Sequence, residues 1–323
     1  MNIHANLCLY LILILLLIGC NRPKKETRTK LHFTTATDSL KMLFPGSIST
    51  HLYERDFALS PDRNEIMYTI GNFDQSKRTL VHIKKENGTW EKKQILTLSG
   101  TYQDIEPFFS PDGEQLFFAS NRPIYGDDSR NDYNIWVSMR INNQWSSPKP
   151  LDSIINTRGD EFYPAVSSNG NLYFTATRKD GLGLEDIFFS SFKKGSYQRP
   201  KVLSKNINST SYEFNAYINP TENLLIYSSY GRKDGLGGGD LYYSKKDSLG
   251  KWKPAVNFGK TINSKKLDFS PYYDAQNKVL YFSSTREKFP TTINSIENFI
   301  KVAESPLNGM SNIYRISIQN LLD

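Results

Sequence analysis

Five acidic residues recur at matching positions in the sequence, and their spacing makes them the side chains best placed to act together. They are Glu54, Asp104, Glu161, Glu213 and Asp268. Each stands six residues before the first residue of a predicted turn. If the repeats surround one axis, the five carboxylates ring one mouth of a central channel, where they would bind a cation or a basic peptide.

A structural role explains the same pattern. Each carboxylate would then accept hydrogen bonds from backbone N–H groups of the preceding turn, or pair with an arginine such as Arg122, Arg178 or Arg286. We prefer this interpretation, and both are kept for comparison with the structure. Neighbouring amide and hydroxyl side chains are likewise predicted to be turn residues: Asn156, Asn208, Asn263, Thr157, Ser209 and Ser264.

The elements that carry these acids are β-hairpins. Residues 104–123 read DIEPFFSPDGEQLFFASNRP, two runs of aromatic and β-branched residues around Pro-Asp-Gly. In such a turn proline presets φ, aspartate bonds its own backbone and glycine accepts a positive φ. The sequence therefore predicts two strands joined by a tight turn.

Four further copies of this stretch follow a regular period. The copies begin 50, 57, 52 and 55 residues apart, which indicates one supersecondary unit repeated along the chain. The second copy predicts four strands, lettered a to d, at about residues 106–110, 115–120, 133–140 and 145–151. Aromatic residues make up 13% of the chain, in keeping with β-structure.

The first strand of the repeat domain has no partner in its own unit. Residues 44–50 match the segments at 151–157, 203–209 and 258–264, each of which begins ten residues before its acid. The chain thus opens with a d strand, and the last unit lacks one. Pairing the two predicts an all-β fold, a five-bladed β-propeller of four-stranded antiparallel blades closed by the N-terminal strand. Six blades, the alternative, require a unit that the sequence does not show.

Residues 1–20 are predicted to form an export signal, with an uncleaved segment as the alternative. A twelve-residue apolar run, 7–18, is too short to span a bilayer and is followed by Gly19 and Cys20. The ending LIGC resembles the lipobox of bacterial lipoproteins, although no Lys or Arg precedes the apolar run. The resemblance implies a signal peptide at 1–19, an acylated (palmitate-bearing) Cys20, a tether at 20–39 and a propeller domain at 40–323.

Cysteine content and charge exclude other classes. Only Cys8 and Cys20 occur, so we expect no disulfide in the mature fold. The formal charge is +7, but residues 21–30 hold five basic residues and one acid. The net charge of the remaining residues is ordinary for a soluble surface. The sequence has no basic stripe with interleaved aromatic residues of the kind that indicates nucleic-acid binding.

Two glycine-rich loops, RKDGLGLED at 178–186 and RKDGLGGGD at 232–240, match neither an EF-hand nor a P-loop. Their glycines are predicted to supply positive φ angles in turns between strands b and c: Gly181, Gly183, Gly235 and Gly237. Metal binding is the alternative. Longer b-to-c connections lie at 123–132 and 288–311, and long loops of a repeat fold commonly form its binding face.

The repeat resembles that of TolB and its relatives. The resemblance is carried by Ser-Pro-Asp-Gly at 110–113, Ser-Asn-Arg at 120–122 and strand c segments such as Asp-Ile-Phe at 186–188. It implies a periplasmic protein that acts by binding partner proteins, as TolB-like proteins meet a peptidoglycan-associated lipoprotein. With a lipid anchor and no separate TolB-type amino-terminal domain, the protein looks more like the short repeat-only lipoproteins of Bacteroidetes-type bacteria.

Catalytic motifs are sparse. No GxSxG or HExxH motif is present. The four histidines do not recur with a Ser or Cys partner: His4, His32, His51 and His82. We therefore expect a non-enzymatic, cofactor-free scaffold that is monomeric, binds an envelope protein or peptidoglycan-associated partner and no nucleic acid, and holds no metal. Glycan binding or glycoside hydrolysis by carboxylates at the channel mouth is the alternative.

The expected location is the outer membrane, because Asn21 follows Cys20 where an inner-membrane retention signal has Asp. Lys24 and Lys25 stand where a surface-export signal is acidic, which favours a periplasm-facing protein over a cell-surface one.

Overall fold

The computed structural model describes residue 31, residues 38–127 and residues 129–322. Five antiparallel sheets of four principal strands form a β-propeller, which confirms the predicted fold and the count of five blades. The predicted signal peptide and Cys20 lie outside the described residues. No helix of the described residues is long and apolar enough to cross a membrane.

Each blade runs from an inner strand a to an outer strand d. Blade 1 contains β2 (Tyr53–Leu59), β3 (Glu65–Gly71), β4 (Arg78–Glu86), β5 (Thr89–Trp90) and β6 (Gln94–Ile95). Blade 2 contains β7 (Asp104–Phe109), β8 (Gln115–Ser120), β9 (Asn134–Ile141), β10 (Gln144–Trp145) and β11 (Lys149–Pro150). Blade 3 contains β12 (Glu161–Val166), β13 (Leu172–Ala176), β14 (Asp186–Ser190), the hairpin β15 (Phe192–Lys193) and β16 (Ser196–Tyr197), and β17 (Lys201–Val202).

Blade 4 contains β18 (Tyr212–Ile218), β19 (Leu224–Tyr230), β20 (Asp240–Lys245) and β21 (Val256–Asn257). Blade 5 contains β22 (Asp268–Asp274), β23 (Val279–Ser284), β24 (Asn312–Ser317) and, as its outer strand, β1 (Lys41–Met42). One helix, α1 (Ile296–Ala303), lies between β23 and β24.

The predicted strands of the second repeat agree with the structure except at the outer edge. Strand b has the predicted bounds, 115–120, and strand a begins two residues earlier than predicted, at Asp104. Strand d is divided into two short pieces instead of running from 145 to 151. Gly113 has φ +78° in the Pro-Asp-Gly turn, as that turn requires.

The ring closes through the N-terminal strand. Lys41 pairs with Arg315 and Met42 with Tyr314, in antiparallel register. Beyond this strand, Leu43 N–H donates to the Ile313 carbonyl at 2.8 Å. The closing strand therefore lies just before residues 44–50, which form the turn that leads into blade 1.

The core consists of aromatic layers between the blades. Strand b of every blade contributes a fully buried ring at the same position: Tyr68, Phe118, Phe174, Tyr227 and Phe282. In blades 3 to 5 this ring stacks on a strand c ring, with centroids 5.9 Å apart for Phe174 and Phe188. Rings of this size dominate the apolar area that a fold buries, so the repeated aromatic residues supply much of the core of each blade.

The antiparallel order gives the ring two distinct ends. The d-to-a and b-to-c connections lie at one end, which we call the loop face, and the a-to-b and c-to-d turns lie at the other, the turn face. Because Lys41 pairs with Arg315 near the end of β24, the chain enters β1 from the turn face. The helix α1 belongs to a b-to-c connection and lies on the loop face.

Candidate functional site

All five repeated acids begin or nearly begin the innermost strand of their blade, and each is fully buried, with 0% of its surface exposed. Four of them accept bonds from the Ser or Thr four residues earlier. The Thr157 N–H donates to Glu161 Oε2 at 3.0 Å and its hydroxyl to Oε1 at 2.6 Å. Thr50, Ser209 and Ser264 bond Glu54, Glu213 and Asp268 in the same way.

Arginines complete most of these turns. Arg178 pairs with Glu161 at 3.2 Å, Arg232 with Glu213 at 3.1 Å and Arg286 with Asp268 at 2.5 Å, while Arg122 pairs closely with Asp104. Each guanidinium also lies over the buried aromatic pair of its blade, as Arg286 does 5.4 Å from the Phe282 centroid. These contacts are the ones that the structural interpretation of the repeated acids predicts.

Burial shifts the pKa of two of the acids upward. Desolvation raises the pKa of Glu161 to about 6, although its bonds from Thr157 and the charge of Arg178 oppose the shift. Desolvation also raises the pKa of Glu54, which forms no ion pair with a described arginine. A carboxylate held this way is not free to bind a solvent-borne cation, so ligand binding at the five acids stays an unsupported prediction.

Asp104 is the exception within the set. Its loop lacks the hydroxyl residue, because Gly100 stands four residues before it. Asp104 Oδ2 is buried with no hydrogen-bond partner among the described residues, and Arg122 engages only Oδ1. In one of the five equivalent turns, the hydrogen-bonding capacity of the carboxylate is therefore only partly used.

The axis of the ring is formed by a second set of residues, two positions after each acid. They share a left-handed φ between +47° and +61° at a β-bulge in strand a: Asp56, Glu106, Tyr163, Asn215 and Ser270. Such angles are costly for residues other than glycine and persist where surrounding bonds enforce them. All five residues are buried.

Bonds between blades that are not neighbours place this set on the axis. Asn215 of blade 4 donates to Glu106 Oε1 of blade 2 at 3.4 Å. The Tyr163 hydroxyl of blade 3 donates to the Pro271 carbonyl of blade 5 at 3.0 Å. Between the adjacent blades 5 and 1, the Ser270 hydroxyl donates to Asp56 Oδ1 at 2.6 Å. A connected polar network therefore fills the centre of the propeller.

One guanidinium bridges the two axial carboxylates. Arg55 Nε lies 2.8 Å from Asp56 Oδ1 and Nη2 lies 2.7 Å from Glu106 Oε1. Burial raises the pKa of Glu106 to about 7, with Arg55 opposing the shift and Asp56 adding to it. Burial alone would lower the pKa of Arg55, but the two carboxylates outweigh it and raise that pKa. Asp56 Oδ2 is buried with no hydrogen-bond partner among the described residues.

The network leaves little room for metal chemistry. Among the described residues, no three His, Cys, Asp or Glu side chains are grouped so as to hold a metal ion. The place that a cation would take between Asp56 and Glu106 contains the Arg55 guanidinium.

The two glycine-rich loops are used differently from the prediction. Gly181, Gly183, Gly235 and Gly237 are not among the described residues with positive φ, so the predicted reason for these glycines is wrong. Space is the actual reason at two of them. A Cβ on Gly183 would lie 2.4 Å from the Ser211 carbonyl oxygen, and one on Gly237 would lie 2.3 Å from the Lys265 carbonyl carbon.

The long connection at 288–311 contains an exposed amphipathic helix. Ser295 caps α1, and its apolar residues Ile296, Phe299 and Ile300 are 68%, 46% and 46% exposed. None of the helix residues is buried. The helix was not predicted, although a capping serine before apolar residues at i, i+3 and i+4 is the sequence signal for one.

Sequence reasoning also missed the axial set, because its five members share a position and not a residue type. The constant offset from the repeated acids was the available signal. An alignment of the five copies that weighed position alone would have grouped Asp56 with Glu106 and Asn215.

No protein-family model matches the sequence, and no curated protein matches it. Among solved structures, TolB from Acinetobacter baumannii is 16% identical over 71% of this chain and 48% of its own, with a TM-score of 0.46. The putative TolB from Agrobacterium tumefaciens is 11% identical over 76% of this chain and 73% of its own, with a TM-score of 0.47. The present protein thus spans about half the length of the Acinetobacter protein.

A solved structure of BT0996 in an RGII complex overlaps the present protein more completely. It is 10% identical over 89% of this sequence and 91% of its own, with a TM-score of 0.51. At such identities the likeness concerns the fold alone. Function has to be argued from the residues described above.

Proposed function

We propose that this protein is a non-catalytic binding scaffold that engages a protein partner through its loop face. The observation that carries the proposal is the apolar surface of α1, formed by Ile296, Phe299 and Ile300 and left exposed. Grouped exposed apolar side chains commonly mark a surface that another protein covers.

The helix is fixed to the propeller at its base. Lys288 N–H donates to the Leu307 carbonyl at 3.0 Å, and Glu287 forms an ion pair with Lys266 at 2.8 Å. Asn308 Nδ2 donates to the His51 carbonyl at 3.0 Å. Because the base of the connection is bonded to two neighbouring loops, the apolar surface is held in one orientation, which lowers the entropy cost of binding.

The proposed setting is the bacterial envelope, with Cys20 as a lipid anchor in an outer membrane and the propeller in the periplasm. Support comes from the apolar run and LIGC sequence of residues 1–20. A partner would then be an envelope protein or a peptidoglycan-associated one.

Site-specific photocrosslinking tests the proposal. A benzophenone amino acid at Phe299 should capture a defined protein in intact envelopes, whereas the same group at Leu249 should not. Leu249 is 78% exposed in a c-to-d connection on the turn face, so it is the matched control. The captured protein, once purified, should bind the wild type and lose at least tenfold in affinity for Phe299→Lys. Equal capture from both positions, or none from Phe299, would contradict the proposal.

Glycoside hydrolysis is a second candidate, favoured by one observation. Two carboxylates, Asp56 and Glu106, meet at the axis, and a pKa of about 7 for Glu106 suits a general acid. Both are buried and share Arg55, so hydrolysis would require the axis to open. Hydrolysis of a chromogenic aryl glycoside by the wild type and not by Glu106→Gln would establish this candidate in place of the scaffold.

A further inference from the structure

A cleft of about 450 Å³ opens on the loop face between blades 1 and 2. One wall is the b-to-c connection of blade 1, including Asn72, Lys77 and Arg78. The opposite wall is the d-to-a turn that contains Gly100 and Gln103. This turn is the one in which glycine replaces the Ser or Thr of the other four blades, so the cleft lies where the repeat is least regular.

The lining of the cleft is cationic. It includes Lys77 and Arg78 and contains neither aspartate nor glutamate. Arg78 Nε donates to Gln103 Oε1 at 2.8 Å, and Nη2 donates to the Tyr133 hydroxyl. Both partners are neutral, and Arg78 forms no ion pair with an acidic side chain of the described residues. Its charge is thus held in place and available to an anion at the cleft.

Apolar side chains flank these two cations. Leu52 and Ile70 line the cleft, as do Ile95, which is 58% exposed, and Tyr102, which is 40% exposed. A ligand suited to this lining carries an anionic group next to an aliphatic or aromatic one. That is the chemistry of a polypeptide carboxylate beside an apolar side chain.

The cleft is continuous with the surface proposed for partner binding. Leu52 follows His51, whose carbonyl accepts the bond from Asn308 at the base of the α1 connection. A polypeptide that covers Phe299 and Ile300 can therefore extend over the d-to-a turn of blade 1 into the cleft.

We propose that the cleft binds a carboxylate of the partner polypeptide through Arg78 and Lys77, with the adjacent apolar side chain against Ile95 and Tyr102. This inference rests on the proposed scaffold function and names the chemistry of its partner. The carboxylate is a chain terminus or an Asp or Glu side chain, which present the same group.

Titration of the ¹⁵N-labelled protein with small probes tests the inference. N-acetyl-leucine should shift the amide signals of Gly100 and Thr101 in a saturable manner, and N-acetyl-leucinamide, which lacks the charge, should bind at least tenfold more weakly. N-acetyl-glutamate α-amide tests the side-chain source: comparable binding assigns an internal acidic residue, and much weaker binding assigns a chain terminus. Glucuronate binding more tightly than either amino-acid probe would overturn the polypeptide assignment.

Variants locate the anion. Arg78→Gln should weaken N-acetyl-leucine binding at least tenfold and Lys77→Gln about threefold. Arg158→Gln removes an exposed arginine elsewhere on the loop face and should change nothing. Lys77 is also exposed, so its variant keeps the test valid if Arg78→Gln unfolds the protein. Unchanged affinity in both cleft variants would overturn the inference.

The outcomes separate the two proposals. If crosslinking from Phe299 succeeds while the cleft variants bind the probe normally, the cleft assignment is wrong and the scaffold stands. If N-acetyl-leucine binds through Arg78 and no partner is captured from Phe299, the scaffold is wrong and the cleft is a site of another kind.

Discussion

Two sets of buried polar residues run around the propeller two positions apart, and they differ in what is repeated. The turn acids, such as Glu213, keep their chemical type in all five blades and use it to hold a turn. The axial set keeps a backbone conformation and changes its side chain, from Asp56 to Tyr163. Repetition of a side chain in this fold therefore marks a structural task, and residues that depart from the repeat are the better places to look for function.

The largest expected effect is the loss of a turn acid. Glu213→Ala should lower the free energy of unfolding by about 4 kcal/mol, since it removes the carboxylate partner of the half-buried Arg232 and leaves several buried donors unpaired. Those donors are the Ser209 N–H at 2.7 Å, its hydroxyl at 2.8 Å and the Ser229 hydroxyl at 2.9 Å. The axial control Ser270→Ala should cost about 1 kcal/mol. Urea denaturation measures both, and equal losses would remove the distinction between the two sets.

The next effect is a pH dependence at the axis. The pKa of Glu106 is raised to about 7 in the folded state, above its ordinary value, so the folded protein binds more protons than the unfolded chain between these values. Stability should therefore fall as pH rises through this window, by about 3 kcal/mol from this residue at about 1.4 kcal/mol per pH unit.

Glu106→Gln should remove most of that decline, because the amide does not titrate. Glu161 and Glu54, whose pKa values are also raised, should leave a smaller slope of the same sign. Denaturation midpoints between pH 4.5 and pH 8 provide the measurement. A variant that retains the whole slope would show that Glu106 is not the principal titrating group.

A matched pair of aspartates gives the third effect. Asp268 Oδ2 accepts two bonds from Ser264, at 2.6 and 2.8 Å, whereas Asp104 Oδ2 accepts none among the described residues. Both pair with an arginine through Oδ1. Asp268→Asn should therefore be less stable than Asp104→Asn by about 2 kcal/mol in chemical denaturation. Equal costs would mean that the Ser264 bonds contribute nothing.

The smallest effect concerns the hydroxyls between neighbouring blades. Ser283 Oγ accepts the bulge N–H of Asp56 at 3.2 Å, while Ser228, at the equivalent position of blade 4, has no partner among the described residues. Ser283→Ala should lower the free energy of unfolding by about 1 kcal/mol, and Ser228→Ala should lower it by a few tenths of that amount. Thermal unfolding under matched conditions measures the difference, and a larger loss at Ser228 would contradict it.

Much of the fold could be predicted from the sequence because the information is repeated. The offset of six residues between acid and turn fixed the hairpins, and the unmatched first strand fixed the closure and the count of five blades. The pairing of Arg122, Arg178 and Arg286 with the acids could be anticipated for the same reason, since each arginine follows its own strand b.

The rest could not be predicted because it depends on contacts between distant segments. The axial network joins Arg55, Glu106 and Asn215 from three blades, and nothing local marks them as neighbours. Glycine is required at 183 and 237 because a side chain there would clash with the backbone of the next blade's loop, and not because of the φ angle of the glycine itself. The helix α1 lies within the connection at 288–311, for which the length alone was used to predict a binding loop.

The most direct test of the scaffold compares a loop-face variant with a turn-acid variant in a single assay. The partner captured from Phe299 should be titrated by biolayer interferometry against wild type, Ile300→Lys and Glu161→Gln, with the melting temperature of each recorded. Ile300→Lys should lose at least tenfold in affinity at an unchanged melting temperature, and Glu161→Gln should melt earlier with its affinity unchanged. Normal binding by Ile300→Lys together with lost binding by a folded Glu161→Gln would contradict the account and return the function to the repeated acids.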